Sequence, residues 1–118
     1  MIGPNEVAAS AARTTTGTSG NMRLNRHNGA VNGQHRLTLG VNITAASGTT
    51  PTLDLTVEWS FDGGTTFLVG DPADSFTQKT TTGTAAKAFE AKGDCYRVRW
   101  TIAGTTPSFT FSVREVQH

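Results

Sequence analysis

The sequence is poor in cysteine, in charge and in long apolar runs, and each shortage closes off a class of protein. A single cysteine, Cys95, in 118 residues leaves no internal disulfide framework and no cysteine-based zinc site, because both need several thiols. No apolar run approaches the roughly 20 residues of a membrane-spanning helix. The opening Met1-Ile2-Gly3-Pro4-Asn5-Glu6 lacks the basic-then-apolar pattern of a signal peptide. Folding in a reducing cytoplasm is therefore expected, with any later exit by a non-secretory route such as inside a particle released by lysis. Charged residues are 16% of the chain and the net charge is +1, which argues against a strongly basic nucleic-acid-binding surface. The length suits one small domain.

Catalytic vocabulary is scarce too. His27, His35 and His118 are the only histidines, and none belongs to a His-Glu-x-x-His zinc motif. There is no Gly-x-Ser-x-Gly elbow to present a nucleophile and no Gly-x-x-x-x-Gly-Lys-Ser/Thr phosphate cradle. Cys95 would need a histidine partner to act as a nucleophile, and a tolerated, buried thiol is the plainer reading. Asp54 and Glu58 share the polar face of one strand, but no feature of the sequence marks them as a glycosidase pair. Asp62, Asp71 and Asp74 have oxygen ligands to offer calcium without EF-hand spacing. The expectation is a protein that is not an enzyme and has no cofactor or metal.

What is abundant is threonine, 21 residues, and glycine, 13. Threonine is β-branched and favours strands, and glycine supplies turns. Leu37, Leu39, Val41 and Ile43 alternate with polar residues, and so do Leu53, Leu55, Val57, Trp59 and Phe61. Tyr96, Val98, Trp100 and Ile102 repeat the pattern, followed by Phe109, Phe111 and Val113. A period of two means strands with one dry face and one wet face. Phe67 and Val69 continue briefly before Asp71-Pro72, and the weaker stretch 76–89 should supply one or two edge strands. The fold expected is all-β, an antiparallel β-sandwich of jelly-roll-like or Greek-key type, with an extended N-terminal arm. Trp59 and Trp100 sit in the apolar phase and read as core, while Phe61, near a strand end, is the best candidate for an exposed aromatic.

Two regions of unlike charge follow from composition, an N-terminal arm, 1–36, and a β-sandwich domain, 37–118. Residues 1–36 hold Arg13, Arg23, Arg26 and Arg36 against Glu6, a net +3, and residues 37–118 carry six basic and eight acidic groups, a net −2. The arm, 1–36, is expected to contain short strands and to lie on a partner. Val7, Arg13, Met22, Arg23, Leu24 and Arg26 are its candidate partner-binding residues. Arg97 and Arg99 form a smaller basic stripe on the wet face of their strand.

Two sequence phrases stand out. Gly48-Thr49-Thr50-Pro51 returns as Gly104-Thr105-Thr106-Pro107, each followed by an alternating strand, at an offset of 56 residues. Both read as hairpin turns, with a bulge or a looser turn near the first because its approach is one residue longer. The second phrase, Ser60-Phe61-Asp62-Gly63-Gly64-Thr65-Thr66-Phe67, resembles the Asp-box of sialidases and related β-propellers. In those families the box is a structural hairpin, and one box in a chain of this size implies a hairpin and not a propeller.

A wider resemblance covers most of the chain. Ala9-Ser10-Ala11-Ala12-Arg13-Thr14, then Leu37 through Gly48, the strand Leu53 through Ser60, then Tyr96 through Gly104 with Pro107 through Val113, look like a group of small bacteriophage virion proteins common in phages of actinobacteria. The resemblance implies a structural virion protein of the head decoration, or capsid cement, type. It would be made in the host cytoplasm and carried on the capsid surface. Such proteins are β-rich, form homotrimers and clamp adjoining capsomers, so the implied partners are the major capsid protein and further copies of the chain. Neither nucleic acid nor a membrane is an expected partner, and no catalytic residue comes with the likeness. Two other roles compete: a carbohydrate- or receptor-binding β-sandwich of a tail or fibre, and a head-tail or tail assembly protein.

Overall fold

The alternating runs merge in pairs into two very long strands. A computed structural model describes residues 5–24 and 36–117. In chain order these form β1 (Asn5–Arg13), β2 (Gly17–Thr18), β3 (Met22–Arg23), β4 (Arg36–Ser60), β5 (Phe67–Ser75), β6 (Gly83–Glu90) and β7 (Cys95–Gln117). Strands β4 and β7 pair antiparallel along their whole length, from Leu37 opposite Gln117 to Ser60 opposite Cys95. Hydrogen bonds join all seven strands into one antiparallel sheet, and the described residues contain no helix. The chain is all-β, as the period-two patterning predicts.

The Gly-Thr-Thr-Pro phrases are not hairpin turns, and that expectation is corrected. Both lie inside the long strands, facing each other at the middle of the β4–β7 ribbon. Thr49 pairs with Thr105, its own counterpart at the offset of 56, so a local twofold axis passes through this pair. The contact is reciprocal: a Cβ on Gly48 would lie 2.7 Å from the Thr106 carbonyl oxygen, and one on Gly104 would lie 2.8 Å from that of Thr50. Gly48 and Gly104 have φ of 111° and 122°, and Thr50 and Thr106 have φ of 46° and 45°. Positive φ in a β-branched residue costs about 1–3 kcal/mol, here partly offset because each threonine hydroxyl donates to the preceding carbonyl at 2.8 Å. The bulge expected in the first copy is present: Ile43 pairs with Phe111 and Ala45 with Thr110, leaving Thr44 over.

At this crossing the ribbon doubles back. Trp100 and Phe111 are eleven residues apart on β7, roughly 36 Å along a straight strand, yet their ring centroids are 5.5 Å apart. Tyr96 and Glu115, nineteen residues apart, share a buried hydrogen bond. The two halves of the ribbon therefore face each other, and their inward side chains form the core. Leu53, Val57, Tyr96, Phe109, Phe111 and Val113 all have essentially no exposure. Burial of such a side chain contributes about 1.5–3 kcal/mol each.

Each central strand is flanked along its length. On one side β6 pairs with Arg36 to Ile43 of β4 and β5 with Thr56 to Ser60, while Lys79 bridges to Leu53 between them. On the other side β1, β2 and β3 follow β7 from Glu115 back to Cys95. The described part of 1–36 thus lies along β7 as a flanking strand, with Val7, Ala8 and Leu24 in the core.

The crossing should be the least tolerant point of the backbone. Gly48→Ala and Gly104→Ala are each expected to lower unfolding free energy by at least about 1–3 kcal/mol, since each combines a strained φ with a backbone collision. Gly40→Ala is the internal control, because nothing lies within 4 Å of its added Cβ, and its change should stay within about 0.5 kcal/mol. Urea unfolding of the three variants measures the contrast.

Candidate functional site: an apolar tip on a clamped hairpin

The β4–β5 hairpin is held by the Asp-box phrase, and the chemistry follows from the side chains available. Ser60 Oγ donates to Asp62 Oδ1 at 2.8 Å and accepts from the Gly64 amide at 2.8 Å. The amides of Thr65 and Thr66 donate to Asp62 Oδ1 at 3.1 and 2.8 Å. Those donors favour the ionised carboxylate, with the Thr66 amide and then the Ser60 hydroxyl foremost, and Asp62 is held down to about 2. Gly63 and Gly64 take positive φ, and the Asn21 amide reaches across to the Gly63 carbonyl at 3.3 Å.

This rigid turn presents apolar side chains to solvent. Phe61 is 62% exposed, Val69 53% and Leu68 47%, and they are the exposed large hydrophobics of the described residues. All three belong to one hairpin, where Trp59 pairs with Leu68 and Glu58 with Val69. Charge-bearing groups buttress its base. Arg97 donates to Glu58 at 2.7 Å and its guanidinium lies 4.1 Å from the Phe67 ring centroid. Asp74 accepts from the Trp59 indole at 2.7 Å and pairs with Lys92 at 2.9 Å.

The residues singled out in sequence are dispersed. Val7 and Leu24 are buried and Met22 half-buried against the chain's own core. Arg13 donates to the carbonyls of Phe111 and Ala9, both at 2.6 Å, and to that of Ala11 at 3.1 Å. Its guanidinium lies 4.8 Å from the Trp100 ring and 4.4 Å from that of Phe111, bracing the doubled-back halves. Arg23 pairs with Cys95 in the ladder and lines a polar cleft of about 120 Å³ with Asn21, Gly63 and Asp94. Arg26, His27, His35 and His118 lie outside the described residues. Cys95 is buried in that cleft's wall, with its thiol donating to Asp94 at 3.3 Å, and burial pushes its pKa up, away from thiolate chemistry.

Asp54, Glu58, Asp62 and Asp74 have structural partners. Asp54 accepts from Gln78 at 3.0 Å, while Asp62 and Asp74 are engaged as above. No group of three or more His, Cys, Asp or Glu among the described residues is arranged to hold a metal. A feature missed in sequence is Glu115, 1% exposed, which accepts from Tyr96 Oη, Asn5 Nδ2 at 2.9 Å and Gln117 Nε2 at 2.9 Å. Its position in the apolar phase of Phe109, Phe111 and Val113 was the available signal. Leu68 and Val69 were missed because a half-exposed edge strand follows no strict alternation. No family model, curated protein or solved structure matches the chain.

Two pH dependences follow. Asp62 ionises below its ordinary 3.8 in the folded state, so its stabilising effect is present above that value and disappears as pH falls toward about 2. The melting-temperature gap between wild type and Asp62→Asn should be widest near neutrality and close in acid. Tyr96 behaves oppositely: burial, then its hydrogen bond to Glu115, raises its pKa above 10.0. Its contribution is complete below that ordinary value and fades as pH rises beyond it. As the chain's one tyrosine, it should show no tyrosinate absorbance until the protein unfolds in alkali. Tyr96→Phe should cost about 1–3 kcal/mol at neutral pH and flatten the alkaline limb. Tyrosinate appearing in folded protein would contradict this placement.

Proposed function

We propose that this chain is a structural protein of a bacteriophage particle, a head decoration protein that binds the outside of the capsid where major capsid protein subunits meet. The doubled-back sheet is read as a jelly-roll-like sandwich whose two layers are the halves of one ribbon, with residues 5–24 as a strand-forming arm. Two supports stand behind the role: the resemblance in the strand and turn phrases, and the apolar tip. The tip is the observation that carries it. Phe61, Leu68 and Val69 are each exposed on a hairpin whose turn is fixed by Ser60 and Asp62, Leu68 and Val69 on its opposite faces. A rigid apolar projection is poorly suited to chemistry and well suited to seating in a groove between subunits, since preorganisation reduces the entropy lost on binding.

Exposure of Phe61 also fits the second reading, a sugar-stacking tail or fibre module, and one experiment separates the two. Purified protein is added to capsids stripped of it, and in parallel to a glycan array. Saturable capsid binding is expected, lost at least tenfold in Phe61→Asp and in Leu68→Asp while the melting temperature stays within a few degrees (a surface change within about 0.5 kcal/mol). Glycan binding that depends on Phe61, with no binding to capsids, would overturn the decoration reading in favour of the recognition module.

A further inference from the structure

Each outer edge of a β-sheet offers unpaired N–H and C=O groups, and folded proteins interrupt such edges unless something pairs with them. Three of the four outer edges here are interrupted. Strand β1 carries bulges between Glu6 and Ala8 and between Ala8 and Ala11. In β5 the ladder jumps from Val69 opposite Glu58 to Asp74 opposite Val57, so residues 70–73 leave the register. Strands β2 and β3 are two residues each. Strand β6 differs: its eight residues pair with β4 in unbroken register, Gly83 opposite Ile43 to Glu90 opposite Arg36. Among the described residues nothing pairs with its outer side.

We propose that the β6 edge pairs antiparallel with the β6 edge of a second copy, about a twofold axis through Ala86. The sequence of β6, Gly-Thr-Ala-Ala-Lys-Ala-Phe-Glu, is self-complementary in that register. Ala86 faces Ala86 of the other copy, Thr84 faces Ala88, Ala85 faces Lys87 and Gly83 faces Phe89. Small residues stand opposite every large one, and no like charges meet. An axis through Lys87 would set two ammonium groups opposite each other, which is destabilising. Lys87 does not guard the edge, because its ammonium donates to the Ser75 carbonyl at 2.6 Å and leans on the Phe89 ring at 5.4 Å. The wet face beside the edge is a shallow depression of about 460 Å³ walled by Gly40, Asn42, Thr84, Ala86 and Ser112, with Arg114 at its side. Nothing bulky there obstructs a continuous sheet. The pairing is independent of the capsid reading, and the homotrimer implied by the phage resemblance would need a different contact.

Disulfide trapping tests the register. In an antiparallel pair, directly opposed Cα atoms lie about 4.5–5.5 Å apart, within the span a disulfide accepts. Ala86→Cys, made with Cys95→Ser, should convert to covalent dimer on mild oxidation at least tenfold faster than Thr84→Cys in the same background, since residue 84 faces 88. Should Cys95→Ser fold poorly, the same pair of variants is made with Cys95 left in place, its thiol being buried. Sedimentation of the unmodified protein should show a concentration-dependent monomer–dimer equilibrium that Ala86→Lys shifts to monomer. A monomer at every concentration, a trimer indifferent to Ala86→Lys, or equal trapping of the two cysteine variants would each overturn the pairing. None of these outcomes bears on capsid binding by the tip.

Discussion

Two glycines held against two threonine carbonyls govern this molecule. At the midpoint of the β4–β7 ribbon the backbones come so close that a methyl group on Gly48 or Gly104 would overlap the opposite strand. Because the Gly-Thr-Thr-Pro phrase occurs on both strands, the distortion is shared evenly about the Thr49–Thr105 pair. Without that crossing, strands of 25 and 23 residues would form an open ribbon with little to bury its inward face. With it, the two halves turn toward each other and supply one another's core.

The rest of the architecture follows from that fold-over. Trp100 meets Phe111, and Arg13 is laid across both rings, with three backbone carbonyls satisfying its guanidinium. Gly17 carries no side chain because its Cβ would lie 2.9 Å from the Trp100 indole nitrogen. Farther from the crossing, Tyr96 and Glu115 close the doubled ribbon with a polar contact in a dry place. A buried carboxylate is costly unless fully paired, and here Asn5 from β1 and Gln117 from β7 complete the set. The flanking N-terminal strand thus contributes both apolar and polar closure, through Val7 and Asn5.

Much of this was legible residue by residue. Parity placed Trp59 and Trp100 among buried side chains, since alternation reports directly which face of a strand is dry, and Phe61, in the same phase as Trp59, is exposed because it lies just past the strand end. The Asp-box phrase located its hairpin because its chemistry is local: Asp62 bonds amides three and four residues on. Gly-Thr-Thr-Pro misled for the same reason. Its local chemistry is that of a turn, and only a partner 56 residues away makes it a crossing. The destination of residues 5–24 was hidden too, because alternating small residues such as Ala8, Ala9 and Ala11 carry little hydrophobic contrast. Their place depends on the free side of β7. At the candidate site, Phe61 was visible in advance, but the exposure of Leu68 and Val69 on the same hairpin needed the hairpin register.

The doubled ribbon carries exposed apolar side chains on one hairpin and an uninterrupted edge on β6, and the proposed contacts would use these without disturbing the core. That arrangement stands on the fold-over. Nuclear Overhauser contacts in solution test it most directly. The account predicts, in one sample, backbone contacts across Thr49 and Thr105 together with ring-to-ring contacts between Trp100 and Phe111. Two separate hairpins turning at 48–51 and 104–107, or ring contacts absent while the long ladder persists, would contradict it.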